Sequence, residues 1–175
     1  MKRWGLISFF VLLLVQSGCS SYNINRTKNY LTPKLDMEGS AYVCLGEDGR
    51  FNSKVYRGSG MAVTRIIMEN LSRYLEKVTK GEDSKSYEEA LKAALYGGHT
   101  YLFCPSIIQW ENHYTEKTET PDKISIKINT IETLTGKQID SAIISGKSRV
   151  ITRGGEQPQD LLATPIRIYV DSLFP

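Results

Sequence analysis

The chain has 175 residues, 41% hydrophobic and 23% charged, the proportions of an ordinary globular protein rather than a disordered, collagen-like or multi-spanning membrane chain. Its net charge is +3, and removing residues 1–18, which read as a cleaved signal, takes away Lys2 and Arg3 and leaves +1. The 157 residues that remain suit one domain, and so weak a charge excludes the long basic footprint that nucleic acid requires.

Met1-Lys2-Arg3, the apolar run Leu6–Val15 and the small pair Ser17-Gly18 before Cys19 have the build of a secretory signal. Ten residues rising about 1.5 Å each fall far short of a ~30 Å hydrocarbon core, so the run is not an anchor helix. Cysteine directly after Ser-Gly resembles the bacterial lipobox, with Gln16 where that pattern usually has Leu. The resemblance implies diacylglycerol on the Cys19 thiol and a fatty acid such as palmitate on the new amino terminus. With Ser20 next, it also implies sorting to the outer membrane, facing the periplasm. Two or more acyl chains anchor a protein stably without spanning the bilayer. Residues 19–40 are polar, without a sustained period and interrupted by Pro33, and are expected to form a lipidated tether. Residues 41–175 are expected to form a single α/β domain.

Ala41–Leu45 suits a buried strand, closed by Gly46-Glu-Asp-Gly49. From Ser59, apolar residues recur at three or four (Val63, Ile67, Leu71, Tyr74 or Leu75, Val78), which predicts an amphipathic helix. Ser86-Tyr-Glu-Glu89 has the spacing of a capping box, and the stripe Tyr87, Ala90, Leu91, Ala94, Leu95 predicts a second helix over 86–96, stopped by Gly97-Gly98. Thr100–Trp110 reads as a strand bent near Pro105. Ile124, Ile126 and Ile128 alternate with polar residues and Thr135-Gly136 offers a turn, predicting a hairpin with Ile139–Ile151. Pro158 suits a first helical position. Leu162, Ile166, Tyr169, Val170 and Leu173 predict a last helix, bent by Pro165. The order β-α-(short β)-α-β-β-β-α implies a mixed β-sheet with packed helices, parallel early through crossovers and antiparallel late.

That order resembles, over about 40–175, the topology of the TolB amino-terminal domain, the curli secretion lipoprotein and the lipoprotein activators of peptidoglycan synthases. Separated motifs resemble a proteobacterial outer-membrane lipoprotein family of unknown function. They are Gly46-Glu-Asp-Gly49, Tyr56-Arg-Gly-Ser-Gly60, Trp110-Glu-Asn, Thr115-Glu116, Pro121-Asp-Lys-Ile124, Thr135-Gly136, Gly146-Lys-Ser148 and Gln157-Pro-Gln-Asp-Leu-Leu162. That family implies no established reaction, cofactor or partner.

Three groups of residues could carry chemistry. The loop Gly46–Gly60 holds Arg50, Lys54 and Arg57 and leads through Ser59 and Gly60 into a helix N-terminus, where free amides favour an anion; glycines also serve ordinary turns. Trp110, Glu111, His113 and Glu116 would make a binding anchor if the tryptophan is exposed, or ordinary packing if it lies under the loop. Cys44 and Cys104 sit near the ends of neighbouring strands, either bonded or as two buried thiols. No Gly-x-Ser-x-Gly and no metal-ligand spacing around His99 or His113 is present, so no catalytic or metal site and no cofactor is assigned. The expected role is that of a non-enzymatic adaptor at the outer membrane, bound to the membrane by lipid and to an envelope protein. The alternative is a receptor for a small anionic envelope metabolite at Gly46–Gly60, and a cell-wall hydrolase using Glu111 with Glu116 ranks third.

Overall fold

Residues 20–27, 34–82, 86–113, 120–148 and 158–175 are described by a computed structural model. The strand expected at Ala41 runs Ser40–Val43 and is β2, because a strand precedes it: β1, Ser21–Arg26, lies within the expected tether. A short hairpin, β3 (Arg50–Phe51) and β4 (Lys54–Val55), occupies the glycine-rich loop, turned by Asn52 at φ 53°. Helix α1 covers Ser59–Leu71 and stops short of Val78, which belongs to β5 (Lys77–Lys80). Apolar spacing alone carried the expected helix through residues that pair instead with a strand edge. Helix α2, Tyr87–Tyr96, starts at Ser86 with both bonds of the capping box in place.

Strands β6 (Tyr101–Glu111), β7 (Lys123–Glu132) and β8 (Gln138–Lys147) form an antiparallel meander, and α3 covers Asp160–Asp171. Residues 149–151, the end of the expected last strand, lie outside the described residues. The strands make a mixed six-stranded sheet in the order β1-β8-β7-β6-β2-β5, parallel only where β2 meets β5 and β6. This is the single α/β domain with a mixed sheet that the sequence predicts.

The register of β6 against β7 runs unbroken through Pro105 and shifts between Ile107 and Gln109. The Phe103 carbonyl accepts the Cys44 N–H, so odd-numbered residues of β6 turn their backbone groups toward β2. Pro105 lies beyond the last residue of β2, where its missing N–H leaves no ladder bond unmade. Helix α3 likewise runs on through Pro165, which forgoes one bond while Leu162, Ile166 and Tyr169 stay on the buried stripe.

One face of the sheet carries α1 and α3. Val43, Phe103, Ile126, Ile128 and Ile144 pack there against Val63, Ile67, Leu71, Leu162, Ile166 and Phe174. On the other face a smaller cluster of Tyr42, Leu102 and Ile131 is covered by Ala90 and Ala94 of α2, small side chains that let the helix approach closely. Tyr87 and Leu95, expected on that buried stripe, are about half exposed. Beyond α2 the described residues leave this second face uncovered and mostly polar, with Ser106 and Ile143 exposed and Lys127 half-buried.

The edge strand β1 is fixed at its far end by Arg26. Its Nε donates to both Asp140 carboxylate oxygens at 3.0 and 2.9 Å, its Nη1 donates to Ser172 Oγ at 3.1 Å, and its guanidinium lies 5.8 Å from the Tyr169 ring centre. Asp140 is almost wholly buried, so this pair locks residues of the expected tether into the domain. Leu35, also from the expected tether, is buried in the main core and bonds Leu173 through its N–H.

Candidate functional site

The glycine-rich loop is built inward onto the first turn of α1. Gly46 N–H donates to Thr64 Oγ1, whose hydroxyl donates to the Cys44 carbonyl; Gly49 N–H donates to Ser59 Oγ; and Gly60 N–H donates to Asp48 Oδ1 at 3.0 Å. A carboxylate of the chain itself therefore lies at the helix N-terminus that the alternative reading gave to an external anion. The approach is so close that a Cβ on Gly60 would fall 2.0 Å from the Gly46 carbonyl oxygen.

The basic residues of the loop are divided between two cavities. Lys54, Arg57 and Ser59 line one of 390 Å³, floored by Trp110. Arg50 lines another of 470 Å³, together with Glu47 and Asp48. The five residues expected to grip one anion, Arg50, Lys54, Arg57, Ser59 and Gly60, are thus not gathered on one point. Lys54 Nζ instead lies 4.7 Å from the Tyr56 ring centre.

Trp110 is 3% exposed and packs under the loop, its ring 6.4 Å from that of Tyr56. A Cβ on Gly49 would come within 2.8 Å of Trp110 Cβ. Of the two readings the sequence left open for Trp110, the structure shows the packed one: the indole belongs to the main core, because the loop folds over it. Glu111 and His113, beyond it, are largely covered as well. Glu111 Oε1 accepts from Gln109 Nε2 at 2.5 Å, while Oε2 lies 3.5 Å from Lys123 Nζ and 3.6 Å from His113 Nε2. Burial pushes this carboxyl up, but the Gln109 amide, the Lys123 ammonium and His113 together outweigh it and hold Glu111 below its ordinary value. A carboxyl held low stays ionised, which does not suit it to serve as a general acid and is compatible with the ionised member of a carboxylate pair. Glu116 and Cys19 lie outside the described residues.

The register brings the two cysteines together. Val43 pairs with Phe103, and one residue further on Cys44 Sγ lies 2.6 Å from Cys104 Sγ. Spacing in the sequence suggested that two strands would hold them, but only the pleat shows that both side chains leave the same face. The hydrogen bond with Cys104 holds the Cys44 thiol below its ordinary value against the burial that pushes it up, and the same bond and burial push Cys104 up. Sequence reading missed the Arg26–Asp140–Tyr169 cluster, since nothing along the chain links three residues so far apart. It also named His99 without foreseeing that it is 4% exposed, its Nδ1 buried with no hydrogen-bond partner among the described residues. Burial, and secondarily Lys77, hold that imidazole below its ordinary value.

Fold and site together define a single mixed α/β domain with a covered sheet face, an open polar one and no group of His, Cys, Asp and Glu among the described residues that could hold a metal ion. Residues 33–173 match a domain of unknown function, DUF4823, and the chain belongs to that family. Among curated proteins none matches the sequence. Among solved structures, the chain is similar to PelC from Paraburkholderia phytofirmans, a dodecamer, at 14% identity and a TM-score of 0.66, covering 87% of this chain and 99% of that one. It is also similar to a DUF330 protein from Xanthomonas campestris at 10% identity and a TM-score of 0.51, covering 81% and 86%. The LpoB C-terminal domain from Salmonella enterica matches more loosely, at 15% identity and a TM-score of 0.43, covering 65% and 87%. At such identities the shared property is the fold. No helix among the described residues is long and apolar enough to cross a membrane.

Proposed function

We propose that the protein is a non-enzymatic accessory lipoprotein of the cell envelope, held at the periplasmic face of the outer membrane by acylated Cys19, whose domain engages an envelope protein. The observation that carries this reading is the junction at the N-terminus: the signal-like segment ends at Cys19, and β1 begins at Ser21. An anchor there would hold the sheet edge close to the bilayer rather than on a long leash, since two residues span at most ~7 Å. Support for a binding role comes from the polar second sheet face that the described residues leave uncovered beyond α2. The fold is shared with a protein that assembles as a dodecamer, so a further copy of this chain is the first partner to test.

The test places a photo-crosslinking amino acid at Lys127, on the open face, in affinity-tagged full-length protein, and reads captured species by mass spectrometry alongside membrane fractionation. The expected result is a crosslink to itself or to one other envelope protein, recovered from the outer membrane and lost with Cys19→Ser. A folded, soluble Cys19→Ser protein that keeps both its crosslink and its function would overturn the role assigned to the anchor.

A further inference from the structure

Cys44 and Cys104 stand on one wall of the 470 Å³ cavity, alongside Tyr87, Arg50 and Asn129. Both are half-buried, and their sulfurs are 2.6 Å apart. That is well inside ordinary non-bonded contact of roughly 3.5–4 Å and about half an ångström beyond a disulfide bond of about 2.05 Å. Neighbouring strands lie about 4.8 Å apart, within the ~4.4–6.8 Å over which a disulfide joins two Cα atoms. Such separations are common, so the directions of the Cβ atoms usually forbid the bond between parallel neighbours. Here they permit it, because Cys44 follows the last paired residue of β2 and leaves the same face as Cys104.

We propose that Cys44 and Cys104 form a disulfide, made by thiol–disulfide exchange through the cavity they line. One of the two thiols, as its thiolate, attacks one sulfur of an oxidant of the disulfide class, glutathione disulfide or an oxidised protein dithiol, and expels the other sulfur as thiolate, leaving a mixed disulfide on that cysteine. The second thiol then gives up its proton, and its sulfur attacks the first cysteine's sulfur and expels the second thiolate. Two thiols lose two protons and two electrons, and the oxidant's disulfide becomes two thiols. The closed bond spans 60 positions, enclosing α1, β5 and α2, and staples the short β2–β5 pair to the antiparallel meander.

In the cell the inference rests on the envelope location proposed above, so one arm of the test is independent of it. Full-length protein is recovered from membranes, alkylated under denaturing conditions before any reduction, and digested with trypsin. The expected product is Leu35–Arg50 joined to Ala93–Lys117, two hydrogens lighter than the sum of the free peptides. The same folded protein, reduced and then equilibrated with glutathione disulfide, is expected to regain that product. Closing a loop of this length should raise the melting midpoint by roughly 10 °C relative to the reduced protein. Cys104→Ala is expected to melt near the reduced protein and to be insensitive to reductant. Folded protein whose two peptides are each alkylated after exposure to glutathione disulfide overturns the bond. Free thiols only in the membrane preparation, with the glutathione arm positive, overturn its formation in the cell, and fractionation reports separately on the location.

Discussion

Glu111 shows how a few side chains decide what a carboxylate can do. Its folded value lies below the ordinary one, so it contributes stability above the ordinary carboxylate range and loses that contribution as pH falls through the folded value. Glu111→Gln should therefore lower stability at pH 7 and progressively less in acid, which urea titrations across pH 2.5–7 would reveal as converging curves. A gap of constant size would mean that Gln109, Lys123 and His113 do not act on its charge. At Gly60 the constraint is steric rather than electrostatic. A methyl group there meets the Gly46 carbonyl, a backbone atom that cannot rotate away. Gly60→Ala is expected to cost about 3 kcal/mol in chemical denaturation, and a change under ~0.5 kcal/mol would show that the loop has room to move.

Among the elements, β1 departs most from sequence expectation, and its stability hangs on a charged pair. Desolvating Asp140 is tolerable only with Arg26 beside it, so Arg26→Ala would leave a buried carboxylate facing Tyr169 and Thr130. The expected loss is about 3 kcal/mol, measured by urea unfolding, with faster amide exchange in β8 where β1 pairs with it. A loss no larger than that of an exposed pair, below ~1 kcal/mol, would return residues 21–26 to the status of a tether. By contrast, α2 was legible down to its cap. Capping is local chemistry: Ser86 and Glu89 bond each other's backbone within one turn, whatever the rest of the fold does.

Among the described residues, helices α1 and α3 cover one sheet face, while on the other α2 covers the cluster of Tyr42, Leu102 and Ile131. Cys19 precedes the first strand, so Cys19→Ser should move the protein to the soluble fraction while changing its melting midpoint by no more than about 2 °C. Retention in the membrane fraction would show that something other than lipid anchors the chain.

The sequence by itself determined whatever depends on neighbours a few positions away: the cap of α2, the alternation of β7 and the turn at Gly136, whose φ of 65° suits glycine. These are local rules with a period of two or 3.6, and such periods survive in one dimension. Tertiary structure alone decided that residues 21–26 form a strand, because an edge strand needs only one partner and one ion pair and carries little pattern of its own. It also decided that Trp110 is core, that Asp48 fills the helix terminus reserved for an anion, and that two cysteines 60 positions apart meet on one pleat. Each of these outcomes depends on which strand lies beside which, a choice made by burying the sheet as a whole.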